Sequence, residues 1–277
     1  MEFYHYIALS TLFIILTLSA FYNGLVVKRY NIDTSKGSVK DDLRVVVIAD
    51  LHNHIYGENQ SKLISKINRE KPDIILLAGD ICDEKSPVIG AQMFFGELKN
   101  VPVYYVFGNH EFKMKNIDEI RKMAEECNIN LLEDSYKQIS VKNNTLIIAG
   151  INDPMKAKFD DKTYNHPESA DNVFRNLKND NVFKILIAHR PDLIDLYKKY
   201  PFNLVVSGHS HGGQVRIPFI LNGLFSPNQG FFPKYAGGIF EHDSLTHIIS
   251  RGVSYYPILP RVFNPPEIVV INIRHNG

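Results

Sequence analysis

Cysteine is scarce. The chain has two, Cys82 and Cys127, far apart and in no zinc-binding spacing, which leaves a single disulfide open but rules out a stapled scaffold or a thiolate metal site. Blocks of basic residues are also missing. Formal net charge is +1 with lysine and arginine spread along the chain, so no electrostatic footprint exists for a stable nucleic-acid partner, and nucleic acid stays open only as a substrate. No His-Glu-x-x-His helix is present, which argues against a zinc peptidase. No internal repeat at a fixed period is visible.

Formal charge is absent from Phe3 to Val27, and "IALSTLFIILTLSAF" fills the middle of that run. Such a stretch is long enough to span a hydrocarbon core as one helix. Tyr4, Tyr6, Phe21 and Tyr22 stand near its ends, where aromatic rings favour the headgroup level. A cleaved signal peptide is the rival reading, but only Glu2 stands where a basic leader should be, and Ser19-Ala20 makes a poor cleavage site. Lys28 and Arg29 follow directly and bias the remainder toward the cytoplasmic side, with the opposite side left open. The expected organisation is an anchor over residues 1–29, a polar tether over 30–42 and one domain over 43–277.

Beyond the tether, short runs rich in valine, isoleucine and aromatics alternate with amphipathic stretches. "LRVVVIAD", "DIILLAGD", "VPVYYVFGN", "TLIIAGI", "KILIAH", "NLVVSGH" and a final "EIVVINI" read as strands. "ENQSKLISKINREK", "VIGAQMFFGELKN", "NIDEIRKMAEECN", "ESADNVFRNLKND" and "PDLIDLYKKY" read as helices. The alternation predicts an α/β sheet with helices packed on it. Residues 218–266, dense in proline, glycine and aromatics, read as a long ordered excursion before the last strand.

Five strands end in polar clusters: Asp50 and His52; Asp80 and Asp83; Asn109, His110 and Glu111; His189; His209 and His211. Pockets in open α/β sheets lie beyond the carboxyl ends of the strands, so these clusters should share one crevice. Carboxylates, imidazoles and an amide form a mixed oxygen and nitrogen set, suited to Mn, Fe, Zn or similar divalent ions, with more ligand positions than one ion can take. The remaining histidines, including His166 and His247, lack such a context and read as solvated or capping residues. In "GHSHGGQ", alternate positions on an extended segment would send His209 and His211 to opposite sides, and Gly212 and Gly213 permit positive φ.

The ordered set "DLH", "GDICD", "GNHE", "AH" and "GHSHGGQ" resembles the calcineurin-like metallophosphoesterase superfamily. "GHSHGGQVRIP", "SRGVSYYP" and "PPEIVVI" look like its membrane-associated bacterial phosphodiesterase branch. The similarity spans roughly residues 43 to 273, with Ser210 where the family more often has threonine. The resemblance implies a four-layer α/β/β/α sandwich carrying two metals. Asp50, His52 and His211 would hold the first, Asn109, His189 and His209 the second, and Asp80 would bridge them. A metal-held hydroxide would attack phosphorus. His110 would protonate the leaving oxygen and, with Asn109 and Arg190, contact substrate, while Asp83 would accept from the other ring nitrogen of His110. Glu111 reads as fixing its loop.

These readings imply a membrane-tethered dimetal phosphoesterase cleaving a phosphodiester or pyrophosphate bond. The anchor favours a lipid-linked substrate, with Phe225, Phe231, Phe232 and Tyr235 either walling acyl chains or packing inward. A soluble nucleotide or a phosphoprotein is the alternative substrate, and a non-catalytic binding module the remaining reading.

Overall fold

Apolar runs that end in polar clusters become parallel strands. The computed structural model describes residues 2–34, 39–178, 180–256 and 259–275. Helix α1 (Glu2–Ala20) leads into strand β1 (Val26–Thr34). The first half continues through β2 (Leu43–Ile48), α2 (Ser61–Arg69), β3 (Ile74–Ala78), α3 (Ile89–Glu97), β4 (Val103–Val106), the single turn α4 (Asn109–Phe112), α5 (Ile117–Glu126) and β5 (Asn130–Leu131). The second half comprises β6 (Ser135–Val141), β7 (Asn144–Ile151), α6 (Lys156–Phe159), α7 (His166–Phe174), β8 (Phe183–Ala188), α8 (Ile194–Tyr197) and β9 (Leu204–Ser207). Strands β10 (Phe225–Ser226), β11 (Gly230–Phe231), β12 (Gly238–His242), β13 (Leu245–Ile249) and β14 (Glu267–His275) complete it.

Two six-stranded sheets result, ordered β1-β14-β2-β3-β4-β5 and β12-β13-β9-β8-β7-β6. Side-chain parity stacks them. On β2, Val45 and Val47 meet Ile185, Val206 and Ile248 of the other sheet, whereas Val46 and Ile48 face Leu63, Phe94 and Ile120 of α2, α3 and α5. On β8, Ile185 and Ile187 point to the first sheet, while Leu186 packs on Phe174 and Tyr197 of α7 and α8. The expected α/β/β/α sandwich therefore follows from strands that are apolar on both faces. Strands β2, β3 and β4 run parallel in one sheet, and β7, β8 and β9 in the other.

Three expectations need correction. The segment from residue 30 is strand rather than tether up to Thr34: β1 pairs with β14 from Val26–Glu267 to Thr34–His275, and Ile32 is buried in the inter-sheet core. Its polar residues sit on an edge strand, and ladder bonds leave no trace in hydropathy. Residues 35–38 of the expected tether lie outside the described residues. The excursion over 218–266 contains the β12–β13 hairpin, whose β13 extends the second sheet beside β9. His166 and His247 are buried rather than solvated; His247 Nε2 lies 3.0 Å from Ser207 Oγ, and its Nδ1 has no partner.

Helix α1 stands apart. Its Phe3–Ala20 segment has mean hydropathy 1.6 and is 6% buried, so it is long and apolar enough to cross a membrane.

Candidate metal centre

The carboxyl ends of β2, β3, β4, β8 and β9 meet, and the five expected clusters come together there. Four overlapping groups of ligand atoms form among the described residues, and two of them leave out His110. Asp50, His52 and His211 make one, and Asp80, His189 and His209 the other. In the first, His52 Nε2 lies 3.3 Å from His211 Nε2, which is 3.7 Å from Asp50 Oδ1. In the second, His189 Nε2 lies 3.0 Å from Asp80 Oδ2 and 3.2 Å from His209 Nδ1. Asp80 Oδ2 is also 3.9 Å from His52 Nε2, so one carboxylate oxygen faces both groups.

Outer partners decide which ring nitrogen faces inward. His189 Nδ1 is 2.8 Å from the Ala78 carbonyl, which can only accept, so Nε2 is the nitrogen turned to the centre. The Asn228 amide oxygen, 2.9 Å from His209 Nε2, does the same for His209 Nδ1. Asp83 Oδ2 pairs with His52 Nδ1 at 3.1 Å, outside hydrogen-bond geometry, and His52 Nε2 is the nitrogen turned inward. These inward atoms lie 3.0 to 3.7 Å apart within each group, close enough for one cation to sit among them; Arg261 Nη2, 3.3 Å from His211 Nδ1, can only donate, which leaves a proton on His211 Nε2 for a cation to displace. Asn109 borders the second group. With its amide turned to satisfy both ends, its nitrogen donates to His209 Nδ1 at 2.8 Å and its oxygen accepts from Lys113 Nζ at 3.1 Å; the opposite turn would offer the oxygen to a cation. The donor set thus fits two divalent ions.

Charge follows the same division. Burial opposes ionisation of Asp80, but the adjacent His189 outweighs it and holds the carboxyl well below its ordinary value. Burial likewise opposes a charge on His189, yet Asp80 and then Asp50 raise it to about 10. His209 goes the other way, to about 3, through burial and the neighbouring His189. Burial and His52 push His211 well below the usual imidazole value. His209, His211 and Asp80 are thus held in the charge states that bind metals, whereas His189 holds a proton that a cation would displace, as does His52, where burial lowers the value but Asp83 and Asp80 raise it further.

Two expected roles change. Asp83 does not mainly serve His110: its Oδ2 is 3.6 Å from His110 Nδ1, whereas Glu84 Oε2 is 2.6 Å from that nitrogen. Asp83 is turned by its contacts to His52 and to the Tyr256 hydroxyl, 3.2 Å away. Arg190 is not free for a phosphate. It is buried, with Nε 2.6 Å from Asp153 Oδ2, Nη2 3.2 Å from Asp153 Oδ1 and Nη1 on Asn228. Sequence reading missed Glu84, Asp153 and Asn228. Asp153 stands at the end of β7, a sixth strand end that the same logic reaches; Glu84 merely adjoins a chosen residue, and Asn228 has no local signal.

Backbone geometry is unusual here. Asp50, His52, Asp80, His209 and His211 have φ of 54°, 49°, 54°, 69° and 46°, a region that costs a non-glycine residue roughly 1–2 kcal/mol. The segment around "GHSHGGQ" is accordingly a turn rather than extended: the chain bends at His209, and Gly212 and Gly213 both adopt φ 65°. The two imidazoles still reach different ligand groups, because the bend rather than the pleat separates them. Buried Glu111 ties the loops down. Its Oε2 accepts from Asp80 N at 2.9 Å and Gly108 N at 2.8 Å, and its Oε1 from Cys82 N at 2.9 Å and the Tyr105 hydroxyl at 2.7 Å.

A family model described as calcineurin-like phosphoesterase matches residues 43–213. An uncharacterized metallophosphoesterase of Aquifex aeolicus is 30% identical over 266 residues, covering 91% of this chain and 93% of that protein. One from Campylobacter jejuni is 28% identical over 253 residues; the match covers 88% of this chain but 62% of that longer relative. Among solved structures, the NAD nucleotidase of Haemophilus influenzae shares the fold, with TM-score 0.53 and 18% identity over 76% of this chain and 45% of that one. Since the matched region takes in every turn from Asp50 to His211, the chain belongs to the calcineurin-like phosphoesterase family, a family of metal-dependent phosphoester hydrolases.

Proposed function

We propose that this protein is a membrane-tethered dimetal phosphoesterase that cleaves a phosphodiester or pyrophosphate bond. The observation that carries it is Asp80, whose Oδ2 faces both groups of inward ring nitrogens. In this reading Asp50, His52 and His211 hold one cation, Asn109, His189 and His209 the other, and Asp80 is shared. Two such cations, manganese being our first choice, would supply Lewis acidity for water activation and for neutralising phosphoryl charge.

The chain's own groups do the rest. His110 is partly open to the crevice, and in its doubly protonated form it would keep Nδ1–H on Glu84 and pass the Nε2 proton to the leaving oxygen. Glu84 and Asp83 are positioning residues, for His110 and His52 respectively. Asn109 and His110 border the phosphate; Arg190, paired with Asp153, steadies Asn228 behind His209 instead.

Tethering rests on α1, whose apolar side chains are exposed along the helix. We place the anchor's end at Ala20 and the domain's start at β1. Lys28 and Arg29 favour the cytoplasmic face, although Arg29 also pairs with Glu70, its Nε 3.1 Å from Glu70 Oε2. A lipid-linked substrate is favoured by Phe225, Phe231 and Phe232, exposed on the strap that carries Asn228; Tyr235 instead packs inward against Phe240.

The test is hydrolysis of bis(p-nitrophenyl) phosphate and p-nitrophenyl phosphate by the full chain reconstituted with Mn, Zn or Fe. Asp80→Asn serves as the blank. The expected result is metal-dependent turnover that favours the diester and disappears in the variant. Equal rates in wild type and Asp80→Asn would overturn the assignment.

A further inference from the structure

The end of α1 and the metal centre are joined by four residues. Phe263 N donates to the Ala20 carbonyl at 2.7 Å, so the segment after β13 closes onto the helix terminus. The next residue, buried Asn264, donates from Nδ2 to the His211 carbonyl at 2.7 Å, and Arg261 Nη2 reaches to 3.3 Å from His211 Nδ1. Two hydrogen bonds of about 3 Å, one backbone step of about 4–5 Å and an asparagine side chain of about 4 Å put the His211 carbonyl within about 15 Å of the Ala20 carbonyl. The headgroup region on one side of a bilayer is only about 5–8 Å deep. A helix whose apolar span ends at Ala20 therefore keeps the ligand turn close to that layer.

A second contact points the same way. Pro218 shares a groove with Leu18, Ser19 and Tyr22 at the helix end and with Phe263 and Pro265. Pro218 begins the tip of a tight turn in which Ile217 N donates to the Leu221 carbonyl at 3.0 Å and Leu221 N to the Ile217 carbonyl at 2.8 Å. At the tip, Phe219 is 108% and Ile220 82% exposed. Two large apolar side chains held out beside an apolar helix match no aqueous role. The same strap runs on to Asn228, which orients His209.

We infer that the Ile217–Leu221 tip inserts into the bilayer that holds α1, so that the crevice opens at headgroup level and takes a membrane-lipid phosphoester without extracting it. The inference rests on α1 being embedded. The occupant of this surface is lipid. Insertion adds a second attachment to the helix, and two attachments fix the orientation of a domain that one helix leaves free to swing.

The chain has no tryptophan, so a single introduced indole reports alone. The full-length protein carrying Phe219→Trp is reconstituted into phosphatidylcholine–phosphatidylglycerol vesicles with or without lipid brominated near the top of the acyl chains. Tyr136→Trp, on β6 at the opposite side of the molecule from β1, is the comparison. Expected is strong quenching and a blue shift for Phe219→Trp, with no change for Tyr136→Trp. Co-flotation with vesicles but equal, weak quenching in both overturns the insertion while leaving the anchor standing; failure to float overturns the anchor and this inference together. A second readout concerns the substrate. In Phe219→Asp/Ile220→Asp, the ratio of hydrolysis of a vesicle-borne glycerophospholipid to that of bis(p-nitrophenyl) phosphate should fall about tenfold, the equivalent of about 1.4 kcal/mol in positioning. An unchanged ratio, or no lipid cleavage by wild type, overturns the substrate class.

Discussion

Replacing Glu111 by glutamine changes one atom and tests how the centre is held. Glu111 is fully buried and accepts four hydrogen bonds, two on each oxygen. A glutamine nitrogen must face one of those pairs. At the Oε1 position the Tyr105 hydroxyl can rotate and accept, which leaves Cys82 N without a partner; at the Oε2 position Asp80 N and Gly108 N are both orphaned. The first choice is cheaper, and an orphaned buried N–H costs about 1–3 kcal/mol. Burial, then the nearby Asp80, raises Glu111 to about 7, so losing its charge offsets part of that cost and keeps the net near the lower end. The larger effect is on function. Asp80 and Asn109 sit on the two loops Glu111 joins, and loosening such support lowers metal affinity about 10–100-fold. Urea unfolding of the detergent-solubilised protein, followed by far-UV circular dichroism, reads the first quantity, and titration with Mn reads the second. Glu111→Ala should be worse on both counts, since it orphans all four donors. A glutamine variant with the wild-type midpoint and wild-type metal affinity refutes the reasoning.

The division of labour between neighbouring carboxylates predicts a split. Asp83→Asn should lower metal affinity through His52, while Glu84→Gln should keep both metals and lower kcat, most of all on substrates with poor leaving groups; parallel losses in metal content would contradict it. Gly108→Ala should weaken metal loading about as much as loss of an outlying ligand, because a Cβ there collides with Asp80 Oδ1 and crowds Asp80 N, and a fully loaded variant would show that the β4 turn gives way. Acid stability reports on His247. Burial, then His242, pushes His247 down to about 3, so below the unfolded value of about 6.5 the unfolded chain takes up a proton that the folded one refuses. Its contribution to stability is therefore lost as pH falls from about 6.5 toward 3, at up to about 1.4 kcal/mol per pH unit. His247→Phe should flatten the pH dependence of the urea midpoint over that range, and parallel curves for variant and wild type would refute it.

The turns were legible in the sequence for a physical reason: a strand buried on both faces is apolar until it leaves the sheet, so a carboxylate or imidazole right after "VVVIA", "IILLAG" or "LVVSG" marks both the strand's end and the crevice. Asp153 obeys that rule after β7 and could have been found by it. Asp83 and Glu84 mark where the rule stops. Both are carboxylates in one turn, and only backbone direction decides that Asp83 meets His52 while Glu84 meets His110. Arg190 was read from its neighbour His189, but its partner Asp153 comes from a different strand, and sequence distance hides such pairing. Asn228 lies in a stretch whose prolines and glycines signal turns and say nothing of where the turns point.

Left-handed backbone at five of the ligand-bearing residues explains why so much of the rest of the chain is recruited to the centre. Each such residue resists its own conformation by roughly 1–2 kcal/mol, a sum that no single ligand contact offsets without a cation present. What holds the turns is hydrogen bonding from backbone N–H groups to carbonyls and carboxylates of neighbouring turns. Asp50 N donates to Gly79 O at 3.0 Å, His52 N to Asp80 O at 3.0 Å and His209 N to Asp50 Oδ1 at 3.0 Å, while Glu111 clamps the loop between. Every turn thus leans on a turn from another strand, and the ligand groups are poised before any ion arrives. That interlock makes the geometry at Asp80 a property of the whole crevice, and it predicts that substitutions at Gly108 or Glu111, neither facing the cations, should cost as much metal affinity as loss of an outlying ligand.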